Sequence, residues 1–201
     1  MGQVFKLAEQ YMSTVDQDSV FVEIGSDRYE GSTVELAQLA IKYNTVLHTV
    51  DMLTEGRDRI TQEGVIPGII WHQGIGSEWA KNIFPTIGKK ISCLYLDNFD
   101  YDWNVRDKNN PDIQAQKAQY LELGLEMNNQ NCQVEHLKQA IALLPYMSEH
   151  SLVVCDDTYI CNDCWIGKSG PAVVYLLAHG YRVIDLPPIP QASYGVILVR
   201  G

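Results

Sequence analysis

The chain has 201 residues, 46% of them hydrophobic and 20% charged, with a formal net charge of −10 at pH 7. This is the composition of one globular domain with a sizeable core, which excludes a disordered or fibrous chain. The acidic balance, offset by no local Lys/Arg cluster, argues against a nucleic-acid partner, and no apolar run reaches the roughly 18 residues of a membrane span.

The N-terminus, "MGQVFKLAEQYMSTVDQDS", lacks the charged start and apolar centre of a secretory signal, and Lys6 breaks a myristoylation pattern at Gly2. A cytoplasmic chain is expected. The five cysteines are odd in number and irregularly spaced, unlike a secreted disulfide framework. Cys161 and Cys164 form a C-x-x-C without a second Cys pair or a spaced His pair, and read as two reduced thiols in a loop.

Residues 3 to 15 carry Val4, Leu7, Ala8, Tyr11 and Met12 at helical spacing, so a helix opens the chain within residues 1 to 18. Strand and helix signals then alternate. "SVFVEIG" is a first strand, "STVELAQLAIKYN" a helix, "TVLHTVD" a second strand and "PGIIWHQ" a third, with the polar "MLTEGRDRITQEG" between the last two. "SEWAKNIF" is a short helix and "KISCLYLD" a fourth strand. A helical region spans roughly 113 to 148, broken near "MNNQN", before a fifth strand in "HSLVVCDD" and a helix in "GPAVVYLLAHG". "YRVIDL" and "YGVILVR" close the chain, separated by "PPIPQAS" with no room for a crossover helix. The pattern predicts a single α/β domain over residues 1 to 201. Its doubly wound, Rossmann-like sheet has seven strands, mostly parallel, with an antiparallel last strand.

In such a sheet, ligands bind beyond the carboxyl ends of the strands. Those ends are polar here. The first carries Glu23 and Gly25, the second Asp51 and Met52, and the third His72, Gln73 and Gly74, with Ser77 and Glu78 following. The fourth carries Asp97, with Asp100 and Asp102 behind it, and the fifth Asp156, Asp157 and Thr158. Carboxylates converging on one crevice raise one another's pKa unless a cation or a donor-rich ligand shares the site.

This order of motifs resembles the class I S-adenosylmethionine-dependent methyltransferases over nearly the whole chain. The likeness is closest to the metal-dependent O-methyltransferases, which include catechol and caffeoyl-CoA methyltransferases and those modifying antibiotic sugars. "VEIGSDRYEGST" looks like the first motif of that family, "HTVDM" the second, "CLYLDNFDYDW" the fourth and "VVCDDT" the segment after strand five. The resemblance implies that Glu23, Gly25, Ser26, Gly31 and Ser32 surround the amino acid end of the cofactor. It implies too that Asp51 accepts hydrogen bonds from the ribose, Met52 lies on the adenine, and Gly76, Ser77 and Asp97 edge the same site. The strict G-x-G-x-x-G of dinucleotide oxidoreductases is absent, and Asp27 would repel a pyrophosphate. Two departures stand out: a long loop between Gly25 and Gly31, and Ile75 where many relatives carry a polar residue.

In the metal-dependent relatives, a carboxylate after strand four and two adjacent acid or amide groups after strand five hold Mg²⁺; Asp97, Asp156 and Asp157 match those positions. A hard cation lowers the pKa of a substrate hydroxyl and orients it. Adjacent Asp156 and Asp157 can share a metal only if the strand ends there. The family's lysine base is replaced by Asp100, so Asp97 and Asp100 are the candidate catalytic residues, with His136 and His150 as weaker bases. Residues of about 103 to 135 form the expected substrate cover, in which Trp103, Tyr120 and Met127 line a pocket or join the core; Trp165 and Lys168 stand at the other rim. Lys168 pairs either with an acidic substrate or with the nearby carboxylates.

The expected activity is therefore Mg²⁺-assisted methyl transfer from S-adenosylmethionine to a hydroxyl of a small-molecule acceptor. The alternatives are a metal-independent N- or O-methyltransferase and a catalytically inactive cofactor-binding or oligomerisation module. The resemblance also allows a homo-oligomer.

Overall fold

The computed structural model describes residues 8–12, 15–16, 18–26, 31–64, 66–101, 109–184 and 195–200. Its main sheet contains β1 (Ser19–Ile24), β2 (Leu47–Asp51), β3 (Ile69–Gln73), β4 (Lys90–Leu96), β5 (Met147–Cys155), β8 (Tyr181–Val183) and β9 (Val196–Arg200). The short strands β6 (Thr158–Cys161) and β7 (Cys164–Gly167) form a separate hairpin. The helices are α1 (Ser32–Lys42), α2 (Glu55–Glu63), α3 (Gly76–Asn82), α4 (Phe84–Ile87), α5 (Pro111–Glu122), α6 (Asn129–Leu143) and α7 (Gly170–Ala178).

The sheet runs β3-β2-β1-β4-β5-β9-β8. Every neighbouring pair from β3 to β5 is parallel, whereas β9 lies antiparallel to both β5 and β8. The expected seven-stranded sheet with an antiparallel last strand is thus the observed one. Because side chains alternate across a strand, β1 sends Val20, Val22 and Ile24 to one face and Phe21 to the other. The first face packs under α3, α4, α6 and α7 through Trp79, Phe84, Ala140, Leu143, Val173 and Leu176. The second packs under α1 through Leu36, Ala37 and Ala40, joined by Ala8 and Met12 from the N-terminal segment. Each fully buried aliphatic side chain contributes about 1.5 to 3 kcal/mol, so both layers are well secured.

Three local expectations change. The polar stretch between β2 and β3 folds as α2, because a parallel β2–β3 pair needs a crossover. Only Gly56 and Ile60 of α2 are buried, so its sequence carries almost no apolar period; Thr54 Oγ1 donating to Asp58 (2.8 Å) steadies its first turn instead. The helical region does not reach residue 148: α6 ends at Leu143, a 3-10 turn holding Pro145 follows, and β5 starts at Met147. The loop containing Cys161 and Cys164 is the β6–β7 hairpin, with the two cysteines paired across its turn and both exposed. Of the expected N-terminal helix, residues 8–11 are helical and residues 1–7 lie outside the described residues. Asp27, Arg28, Asp102 and Trp103 also lie outside them.

Candidate functional site

The strand order reverses between β1 and β4, so the carboxyl ends of those strands and of their neighbours β2 and β5 define the candidate site. Gly25 follows β1 with φ of +100°, and its amide donates to the Val50 carbonyl (2.8 Å). A Cβ at this position would stand 2.5 Å from the Asn98 nitrogen and 2.6 Å from the Asp97 carbonyl carbon. Glycine is therefore required twice, by its backbone conformation and by the loop after β4 lying against it. Gly31, the residue before α1, has φ of +91°, but a Cβ there would meet nothing within 4 Å.

Glu23 shares the α1 face of β1 with Phe21 and is fully buried. Its Oε1 accepts from Ser32 Oγ (3.0 Å), and its Oε2 accepts from Thr33 Oγ1 (2.7 Å) and Thr49 Oγ1 (2.6 Å). Burial raises its pKa to about 8 against the opposing pull of the three hydroxyls. Glu23, expected at the amino acid end of a cofactor, fastens the start of α1 to β2 beneath the surface. Since Thr49 spends its hydrogen on Glu23, the Ser26 hydroxyl donates to Thr49 Oγ1 (2.8 Å).

Asp51 ends β2 and ties the first two loops together. Its Oδ2 accepts from the Ser26 amide (2.9 Å) and its Oδ1 from the Leu53 amide (2.8 Å). Met52 packs on a small cluster of Phe99, Tyr120, Met127 and Cys132, flanked by Tyr101 and Leu125. Tyr120 and Met127 are thus part of a core under the expected cover rather than an open lining. Gly76 and Ser77 turn inward. A Cβ on Gly76 would stand 2.3 Å from Ile24 Cγ2, while the Ser77 amide and hydroxyl both donate to Glu135 (2.8 and 2.9 Å).

Glu135 belongs to a polar row on α6 that gathers the loops after β3, β4 and β7. Gln139 Nε2 donates to Asn98 Oδ1 (3.0 Å), Gln133 Nε2 to the Gly167 carbonyl (3.0 Å), and Cys132 Sγ to the Phe99 carbonyl (3.1 Å). His136, wholly buried, joins the Asn98 carbonyl to the Ser169 hydroxyl. A carbonyl only accepts, so Nε2 carries the hydrogen and Nδ1 accepts from Ser169. Burial, the largest cause, lowers the His136 pKa to about 4. With both nitrogens engaged, His136 is a positioning group, not the base foreseen as an option. His150 is exposed toward the amino end of β5, away from the site.

The acidic residues after β4 and β5 do converge. β5 stops at Cys155, and Asp157 turns to φ of +46°, which frees Asp156 and Asp157 from the alternation of a strand. Asp97 Oδ2 accepts from Tyr95 OH (3.1 Å). Asp156 is pushed well above the usual carboxylate range, first by burial and then by the charge of Asp97. Asp100 is held by Gln116 Nε2 and by Tyr120 OH (3.4 Å).

The sequence left the partner of Lys168 open; the structure decides it. Lys168 Nζ lies 2.8 Å from Asp97 Oδ1 and 3.1 Å from Asp157 Oδ2, with its side chain 8% exposed. The hairpin delivers it. β6 leaves from Asp157 and β7 returns to Gly167, and the Lys168 amide then donates to the Asp157 carbonyl (3.0 Å). Asn162 and Asp163 make the turn with φ of 49° and 61°. Asp97, Asp157, Asp100 and Asp156 all favour the charged ammonium, which outweighs burial and holds the Lys168 pKa well above its ordinary value.

The expected Mg²⁺ does not fit this arrangement. A divalent ion on Asp97, Asp156 and Asp157 would have to share their oxygens with a buried ammonium already ion-paired with Asp97 and Asp157. Among the described residues no cluster of three or more His, Cys, Asp or Glu is arranged to hold a metal. Among them, too, no helix is long and apolar enough to cross a membrane.

No protein-family model matches the sequence, and no curated protein sequence matches it. Solved structures do match. The chain is similar to an rRNA methylase from Streptococcus thermophilus, with 13% identity, 98% of this chain and 96% of that one covered, and a TM-score of 0.54. It is similar to the O-methyltransferase TomG from Streptomyces achromogenes, in complex with SAM, with 16% identity, 99% and 78% coverage and a TM-score of 0.54. It is also similar to the glycopeptide N-methyltransferase MtfA, complexed with S-adenosyl-L-homocysteine, with 10% identity, 99% and 89% coverage and a TM-score of 0.52. At these identities the likeness establishes the architecture: the chain has the seven-stranded Rossmann-like fold that these methyltransferases share.

Proposed function

We propose that this chain transfers the methyl group of S-adenosylmethionine to a hydroxyl of a small molecule. The observation that carries the reading is the junction at the strand reversal. There Gly25 closes on Asp97–Asn98 while Asp51 binds the Ser26 amide, presenting one carboxylate and one glycine turn at the same edge. Asp51 would hold the ribose hydroxyls, Met52 with its aromatic neighbours would flank the adenine, and the turns at Ser26 and Gly31 would meet the amino acid end. When bound, the cofactor supplies an electrophilic methyl on a sulfonium.

The chain's own tasks are orientation, shielding and proton acceptance. α5 and the segment leading to α6 cover the site through Tyr120 and Met127. Asp100, steadied by Gln116 and Tyr120, is the candidate proton acceptor. A formal charge of −10 favours a small acceptor over RNA, although one similar structure is an rRNA methylase. Five free cysteines suit a reducing cytoplasm. Assistance by Mg²⁺ would require Lys168 to withdraw, so it is not part of this reading.

Thermal unfolding with S-adenosylmethionine, S-adenosylhomocysteine or NAD tests it. A ligand at about 100 times its Kd stabilises by roughly 2.7 kcal/mol, or about 5 to 10 °C for a chain of this size. The expected result is a rise with both adenosyl sulfur ligands and none with NAD. A rise with NAD alone, or with no ligand, would overturn the reading.

A further inference from the structure

We propose that Lys168 is a built-in cation that neutralises the carboxylates after β4 and β5 in place of a divalent metal, and that an N–H it has left holds the oxygen of the acceptor. The second half rests on the methyl-transfer reading; the first stands on geometry alone. Asp97 ends β4, Asp156 and Asp157 follow β5, and the hairpin from Thr158 to Gly167 carries the chain back so that Lys168 enters the same site. The return is built, not incidental. At Gly167 a Cβ would stand 1.9 Å from the Asp157 carbonyl oxygen, so only glycine lets the hairpin close this tightly. Ser169, the next residue, is bound by His136 through its hydroxyl and by Thr158 Oγ1 through its amide (3.0 Å). The lysine is thus clamped on both sides.

An ammonium has three donors. Asp97 Oδ1 accepts one, Asp157 Oδ2 lies at ion-pair distance (3.1 Å), and among the described residues no further partner contacts Nζ. The free donor suits an oxygen that gains negative charge as its proton leaves. It supplies the electrostatic part of a metal's role without coordination geometry. The two aspartates fix the ammonium and keep it charged.

Mn²⁺ is the probe, because its electron paramagnetic resonance signal reports binding without turnover. The wild-type chain should bind no Mn²⁺ at this site. Lys168→Ala and the longer, neutral Lys168→Gln leave Asp97, Asp156 and Asp157 without their cation. They should bind one Mn²⁺ per chain, tighter than wild type by about tenfold or more, a gain that adding Asp97→Asn removes. A merely structural ion pair would not produce that gain. One Mn²⁺ bound per wild-type chain would overturn the proposal whether or not either variant folds, as would folded Lys168→Gln without a gain. Calorimetric titration of S-adenosylhomocysteine into the wild type, with and without EDTA, separates the two readings. Equal binding in both supports a metal-free site. Binding lost in EDTA overturns the built-in cation. No binding in either defeats the acceptor half with the methyl-transfer reading and leaves the Mn²⁺ result to decide the first half.

Discussion

Two buried acidic arrangements stand at the ends of neighbouring strands, and they solve the same problem differently. Among the described residues, Glu23, fully buried, is hydrogen-bonded only by the neutral hydroxyls of Ser32, Thr33 and Thr49. Asp97, Asp156 and Asp157 are met by an ammonium. One carboxyl can be kept under a helix by hydroxyls and by holding its proton more tightly. Three carboxyls cannot, because each ionisation is opposed by the last. The first arrangement is sealed and secures α1, whereas the second retains exposure at Asp97 and Asp157, of 14% and 32% of the side chain.

If the second arrangement depends on the return of the hairpin, Gly167→Ala should break it with the largest effect of any change considered. Both the positive φ and the 1.9 Å approach to the Asp157 oxygen oppose a methyl group. A loss of about 3 kcal/mol or more is expected in urea unfolding. Gly31→Ala is the matched control in the first arrangement: the same kind of backbone, but open space around the added carbon. It should cost only about 1 kcal/mol. Equal losses would mean that backbone conformation alone matters and that the hairpin closure is not special.

The pH dependence of stability sharpens the contrast next. Between its ordinary value near 4.5 and about 8, Glu23 keeps a proton when folded that it loses when unfolded, so stability falls as pH rises through that window. Asp156, also raised, adds the same sign. His48 and His136 work the other way. Both are lowered from 6.5 to about 4, so each costs stability as pH falls through that range. The opposing trends overlap below about pH 6.5 and leave the acids alone above it. The melting temperature should therefore change little between about pH 5 and 6.5 and fall from 6.5 to 8. One group contributes at most about 1.4 kcal/mol per pH unit. Glu23→Gln should flatten the fall and leave only the Asp156 share; an unchanged slope would mean that Glu23 is not the titrating group.

Much of this was legible in the sequence, for a definite reason. Strands announce themselves by alternation, and Glu23, Asp51, Asp97, Asp156 and Asp157 could be placed because each sits in or at the end of such a run. The role of Lys168 could not be read, because its distance from Asp97 depends on a hairpin of two four-residue strands. Its signal was present in "TYICNDCWIG": two strand-like runs about an Asn-Asp pair, without the glycine that usually marks such a turn. Glu135, His136 and Gln139 were harder still. They share one face of α6, but nothing local says that this face meets three loops rather than solvent. Polar residues on a helix gain meaning only from what packs against them.

The smallest effect gives the closest test of how the sealed arrangement works. Thr49→Val keeps the shape of a wholly buried β2 side chain while removing one of the three donors to Glu23. It also removes the acceptor of the Ser26 hydroxyl. A hydrogen bond between neutral partners contributes about 0.5 to 1.5 kcal/mol, and one to a charged group about 1.5 to 3. At pH 5.5 Glu23 is protonated, so the loss should be near 1 kcal/mol. At pH 9, above the raised pKa, the same hydroxyl supports a carboxylate, and the loss should be roughly double. The substitution should also lift the Glu23 pKa further, because the donor it removes is the largest influence opposing burial. Urea unfolding of the variant and the wild type at the two pH values reads the difference directly. A loss that is the same at both would mean that Glu23 does not change charge between them, and that the hydroxyls, not the proton, keep it buried.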